Sequence, residues 1–175
     1  MIFCSGVYRE NPHLRSPEPE AGEDAALPGS PAVDLTMKKL MEEDALELVP
    51  DDARRWVKKA IAFYKANGRG IALAEFGNSR GRFFQDGRYV YVLDINGAML
   101  AHPVNERYAG KDFYYIQDSE GKPFIKEIVD TANNGSSSGW VQYRWFNPTS
   151  KREQPKTVYF EKVDNLIFCS GIYEL

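Results

Sequence analysis

The sequence predicts an α+β domain in which a five-stranded antiparallel sheet packs on a long N-terminal helix. Three observations carry this expectation. Apolar residues recur at helical spacing through residues 51–67, the period changes to two from residue 82 onward, and turn-forming residues punctuate that second stretch at hairpin intervals. The chain of 175 residues is long enough to bury a core of its own. Its 43% hydrophobic, 27% charged and 13% aromatic residues are the balance of a globular domain. A formal charge of -3 supplies no basic field, which argues against nucleic acid as a partner.

The first helix signal covers Asp34 to Leu48, with Leu35, Leu40, Met41, Ala45, Leu46 and Leu48 among charged residues, and Pro50 ends it. The stronger helix follows. Asp51 or Asp52 can cap it, and Ala53, Trp56, Val57, Ala60, Ile61 and Tyr64 fall on one face, which assigns Trp56 and Tyr64 to core packing. Gly68 is its natural stop, and a shorter helix through Ala72, Leu73 and Phe76 runs into the Gly77–Gly81 breaker.

Tyr89–Leu93 and Ala98–His102 flank Asp94-Ile95-Asn96-Gly97 and read as a hairpin. Residues 103–123 form a long connection with a turn at Asp118-Ser119-Glu120-Gly121. A short amphipathic helix then carries Phe124, Ile125, Ile128, Val129 and Ala132. Strands Gly139–Phe146, Lys156–Val163 and Leu166–Tyr173 complete the set. The helix at 51–67 covers one face of the sheet, and the connection at 103–135 is long enough to arch over the other and enclose a small cavity.

The two ends of the chain are related. Residues 2–8 read IFCSGVY and residues 167–173 read IFCSGIY, six of seven identical. Residues 1–8 are therefore expected to be a strand like the tail of an upstream unit of the same kind, able to pair with a sheet edge or a neighbouring chain. Residues 9–33 hold five prolines, five acids and no aromatic residue, the composition of a linker, and His13 within it is a solvated histidine. Residues 34–175 are the expected domain.

Catalytic and metal chemistry find no support. Two histidines, one of them in the linker, leave only His102 for a nucleophile's base, and there is no nucleophile elbow or phosphate loop. Asp94-x-Asn96-Gly97 and Asp118-x-Glu120-Gly121 begin like calcium loops but lack the later ligands, so hairpin turns explain them better. Asn134-Gly135-Ser136 matches a glycosylation acceptor that a Gly-Ser turn accounts for equally. Two cysteines are too few for a disulfide scaffold, and buried free thiols are expected at Cys4 and Cys169. No stretch approaches the roughly 20 apolar residues that span a bilayer.

The order of Tyr-Val-Tyr-Val-Leu-Asp-Ile-Asn-Gly over residues 89–97, His102-Pro103, Gly110-Lys111, Asp118 to Phe124, Trp140-Val141-x-Tyr143-x-Trp145, Asn147-Pro148, Lys156-x-x-Tyr159 and Cys169-Ser170-Gly171-Ile172-Tyr173 resembles the single Cache sensor domains, across residues 51–175. The resemblance implies a PAS-like sheet on a long helix. It implies an extracytoplasmic module of a chemoreceptor or histidine kinase, attached to a membrane through segments outside this chain and needing no cofactor. It also implies a pocket between sheet and arch for a small organic anion, a short carboxylate such as acetate, propionate, lactate or pyruvate.

The residues suit that ligand on chemical grounds, because a buried carboxylate needs a cation and hydrogen-bond donors. Lys156, His102, Tyr143, Tyr91 and the Trp145 indole are donors of the right kinds, and Tyr143 and Trp145 share a strand face. Each also has a plainer reading. Tyr91, Tyr143 and Trp145 suit core packing, Lys156 suits a solvated turn near Lys151-Arg152, and His102 closes a strand. Tyr114-Tyr115 in the arch implies a narrowed pocket, and a pocket filled by either would favour a pocketless interaction domain of a tandem protein.

Overall fold

The computed structural model describes residues 51–174. The expected strand at 1–8, the linker at 9–33 and the helix at 34–48 lie outside the described residues. Helix α1 covers 51–67, followed by α2 (Arg69–Phe76), β1 (Phe84–Gln85), β2 (Arg88–Asp94), β3 (Met99–Ala101), a single 3-10 turn (Glu106–Tyr108), α3 (Phe124–Asn133), β4 (Ser138–Asn147), β5 (Arg152–Val163) and β6 (Leu166–Tyr173). Among the described residues the sheet has six strands rather than the expected five. The addition is the two-residue β1, which folds back on β2 through Asp86-Gly87, both at positive φ.

The sheet order is β1-β2-β6-β5-β4, every pairing antiparallel, with β3 also on β2. The connection from β3 to β4 must therefore carry the chain from one edge of the sheet to the other. It crosses one face on the way, and that crossing is the arch. Asp94 and Asp118 each spend a carboxylate oxygen on two backbone N–H groups of their own turns, Asn96 and Ala98 for the first, Glu120 and Lys122 for the second. These are turn-building aspartates, as the spacing predicts.

Two apolar layers sandwich the sheet. On one face α1 and α2 deliver Trp56, Val57, Ala60, Ile61, Ala72 and Phe76 onto Phe83, Val90, Val92, Tyr159 and Phe168. Phe76 meets Phe83 and Phe168 edge-on at ring centroid distances of 4.9 and 6.0 Å. Each such side chain taken wholly from water contributes about 1.5–3 kcal/mol. Tyr64 sits at the rim, its ring against Phe168 and its hydroxyl donating to Asp164 at 2.7 Å.

On the other face, α3 sets Phe124, Ile125, Ile128, Val129 and Ala132 onto Leu93, Val141, Val158, Phe160 and Ile167. β2 is buried on both sides, so its residues alternate between the two layers: Tyr89, Tyr91 and Leu93 to the arch, Val90 and Val92 to the helices. The Asn134-Gly135-Ser136 triplet begins at the end of α3, where Gly135 takes a positive φ of 92°.

Candidate functional site

Between the sheet and the arch lies a cavity of about 10 Å³, lined by Tyr89, Tyr91, Met99, His102, Tyr108, Phe113, Phe124, Ile125, Tyr143 and Trp145. That volume is near the lower limit for a single water, roughly 10–15 Å³. Four residues singled out from sequence, Tyr91, His102, Tyr143 and Trp145, are brought together in its wall. Tyr143 and Trp145 share a face of β4 as expected, and Phe124 of α3 stacks on Tyr143 at 3.9 Å with the rings 11° from parallel.

The polar groups of the wall are tied to one another. Tyr91 and Tyr143 place their hydroxyls 3.0 Å apart, and Tyr89 and Tyr173 theirs at 3.2 Å. Tyr173 also donates to the Phe146 carbonyl at 2.7 Å, so its one proton is committed and Tyr89 is the donor of the second pair. Burial pushes the Tyr89, Tyr91 and Tyr143 phenols well up and Tyr173 up to about 12.

His102 sits just past β3, 5% exposed, its ring 5.0 Å from Tyr89 and 5.1 Å from Tyr108. Its Nδ1 accepts the Asn105 backbone N–H at 3.3 Å, which places the imidazole proton on Nε2. Burial, aided by the charge of Lys156, pushes it down to about 3, so it is a neutral donor at physiological pH.

Lys156 is the unusual member. It lies inside β5, opposite Tyr143 on one side and Tyr173 on the other, and is wholly buried. The solvated reading of this lysine is therefore wrong: β5 begins at Arg152, four residues earlier than the strand predicted from Lys156, and the side chain turns into the arch layer. It runs across Gly171, where a Cβ would stand 2.9 Å from Lys156 Cε and 2.5 Å from Val158 Cγ2. Glycine at that position leaves the channel the lysine occupies.

Among the described residues the Lys156 ammonium nitrogen has no hydrogen-bond partner. It lies 3.9 Å from the ring centroid of Tyr89, 4.8 Å from that of Tyr173 and 5.7 Å from that of Tyr91. Aromatic faces offer a desolvated cation about 2 kcal/mol each, against a desolvation cost of several kcal/mol or more. The rings offset part of the cost, and burial pushes the amine down to about 7. Lys156 does not itself line the cavity. Its nitrogen stands one layer behind, against the rings of Tyr89 and Tyr91, which do.

Tyr89, Tyr108, Phe124 and Tyr173 belong to this site and were not singled out from sequence. For Tyr89 the signal was present, since it is two residues from Tyr91 and must share its face. Tyr114 and Tyr115 do not fill the pocket. Tyr114 packs over Gly97 and donates to Asp130 at 2.6 Å, while Tyr115 is 77% exposed. Cys169 is a buried free thiol whose burial pushes it up, which makes it a poor nucleophile. Among the described residues no group of three or more His, Cys, Asp or Glu is placed to hold a metal ion, and no helix is long and apolar enough to cross a membrane.

Comparison with known proteins joins this geometry to a family. The profile of single Cache domain 2 matches residues 36–171. The methyl-accepting chemotaxis protein McpP of Pseudomonas putida KT2440 is 31% identical over 87 residues, 49% of this chain and 16% of that protein. The sensor histidine kinase MctS of Rhizobium johnstonii is 26% identical over 87 residues, 49% of this chain and 18% of that protein. The chain thus spans under a fifth of the length of these relatives.

Among solved structures, a methyl-accepting chemotaxis protein from Vibrio parahaemolyticus aligns with a TM-score of 0.59 at 19% identity, over 79% of this chain and 95% of that one. The periplasmic sensor domain of a chemotaxis protein aligns at 0.54 and 26% identity, over 78% and 97%. A Cache chemosensory domain studied for carboxylic acid recognition aligns at 0.54 and 23% identity, over 79% and 96%.

Proposed function

The chain belongs to the single Cache domain 2 family, and from that premise we propose that it binds a small organic anion, a short carboxylate such as acetate, propionate, lactate or pyruvate, and passes occupancy to a signalling partner. Cache domains are ligand-binding sensor modules of chemotaxis receptors and histidine kinases, and those of chemoreceptors are periplasmic. An extracytoplasmic setting is part of the proposal.

One observation supports the anion above all: a wholly buried ammonium with no acceptor among the described residues, Lys156 Nζ, behind a mostly aromatic cavity wall that includes tyrosines and a neutral histidine. A carboxylate supplies the charge that the amine lacks, and the one proton left free by the Tyr91–Tyr143 pair, the His102 Nε2–H and the Trp145 indole are donors available to its second oxygen. At about 10 Å³ the cavity must widen to admit even acetate, and the Tyr89 ring must yield before an oxygen can touch Lys156 Nζ. Binding therefore entails movement of the tyrosine layer and the arch, and a ligand that favours the widened state biases the whole domain. The 2.8 Å Lys58 to Glu161 pair and the Tyr64 to Asp164 bond couple α1 to the end of β5, so α1 is the element positioned to pass that change on.

A thermal-shift screen against short carboxylates, amino acids and small amines tests the reading, because a ligand that binds only the native state raises the melting temperature. A rise with carboxylates that Lys156→Ala abolishes is the expected result. No shift with any class favours instead a pocketless interaction domain, to which the small cavity already lends some support.

A further inference from the structure

We propose that anion capture here is coupled to the uptake of a proton by Lys156, so that the site holds a carboxylate in neutral or mildly acidic surroundings and releases it as they turn alkaline. This inference rests on the anion-binding reading above and adds regulation to it.

The argument is geometric first. The ammonium is wholly buried, has no oxygen to bond among the described residues, and its neighbours there carry no negative charge at neutral pH. From β2 it meets Tyr89 and Tyr91, from β6 Tyr173 and Cys169, from β4 its register partner Tyr143, and from beyond β3 His102. The four phenols and the thiol are all held in their protonated forms by burial. His102 cannot take the proton instead, because the same burial and the lysine's own charge hold it neutral. The charge of the whole site therefore follows one group. Without an anion that group is pushed down to about 7, and desolvation is the dominant cause. A carboxylate against Nζ is an opposite charge at close range in a low dielectric, which pulls the amine back up.

The sign follows from linkage. A site whose bound form holds more protons than its free form binds more tightly as pH falls, until the free amine is already charged. Affinity is then level below about pH 7. Above it, affinity falls by up to about tenfold per pH unit until the amine of the complex also deprotonates. On the acid side a second fall begins only when the ligand's own carboxyl protonates, roughly at pH 4 to 5 for acetate and propionate and lower for lactate and pyruvate.

The test is calorimetric titration of the full chain with acetate, propionate, lactate and pyruvate, in buffers of differing ionisation enthalpy, from pH 6 to 9. The expected result is a level dissociation constant between pH 6 and 6.5, proton uptake at pH 7.5 to 8, and weakening toward about tenfold per unit above pH 8. Lys156→Arg, checked for an unchanged fold by its melting temperature, keeps a charge that cannot be lost and should flatten the profile. NMR titration of the Lys156 side chain in the unsubstituted chain gives the same answer without any variant. A carboxylate that binds with a flat profile and no proton exchange overturns the coupling and leaves the anion-binding reading standing. No binding of any of the four at pH 6 overturns that reading and the coupling with it.

Discussion

The two faces of the sheet are built on opposite principles. The face under α1 and α2 is a conventional core: Val57, Ala60, Ala72, Phe76, Val90, Val92 and Phe168 are all wholly buried and carry no polar atom beyond the backbone. The face under the arch has at least as many buried residues, yet they include three tyrosines, a histidine and, among the described residues, an unpartnered lysine. One face stabilises the fold. The other gives up stability to keep donors and a cation out of water, and on that cost the proposal of a ligand site rests. A domain can carry such a face only because its opposite is so well packed.

The sharpest way to break that contrast is Phe76→Ala on the helix face, which should cost about 3–5 kcal/mol, measured by denaturant unfolding, and leave the dependence of stability on pH between 7 and 9 unchanged. Next in size, Lys156→Met on the arch face should raise the melting temperature and abolish carboxylate binding. A lysine whose folded-state value is lowered is destabilising in full below that value, and the penalty shrinks as pH rises from about 7 toward its unfolded value near 10.4. The gain from Lys156→Met should therefore be larger at pH 6 than at pH 9. Melting curves at the two pH values decide it, and equal gains would mean that the folded-state amine keeps its charge up to pH 9.

Gly171→Ala joins both effects, since its Cβ meets Val158 and pushes on Lys156 Cε. Overpacking of this kind costs about 1–3 kcal/mol, and carboxylate affinity should fall with it. Tyr143→Phe leaves the Tyr91 hydroxyl without its partner, a loss of about 1–3 kcal/mol in stability. At the small end, Tyr115→Ala at the exposed tip of the arch should change stability by no more than about 0.5 kcal/mol and leave binding untouched, as thermal shift with propionate would show.

Most of the architecture was legible before any coordinates. The 3.6 period placed α1 and α3, the period of two placed β2, β4, β5 and β6, and Asp94-x-Asn96-Gly97 marked its turn, because each is a local pattern with a local cause. β1 was missed, since two residues are too short to show any alternation. β5 was begun too late because Pro155 reads as a strand breaker. It is tolerated because the Glu174 carbonyl, close to the N–H that proline lacks, takes the Gln154 side-chain amide at 3.2 Å.

The candidate site was legible as a list of donors and not as an arrangement. Tyr91, His102, Tyr143 and Trp145 come from three separate segments of the chain, and only the order β1-β2-β6-β5-β4, with the arch crossing between its edges, brings them to one cavity. That His102 is neutral also depends on burial supplied by elements distant in sequence. Lys156 shows the division most clearly. By itself the sequence determined that a lysine stands beside a strand of alternating apolar residues. Whether its amine meets water or three tyrosine rings was decided by β6 passing between β5 and β2, with a glycine where the side chain crosses. Periodicity is written in neighbours along the chain, but desolvation is set by whatever the fold packs on top, and for Lys156 that is the difference between a surface charge and a buried amine behind the wall of the cavity.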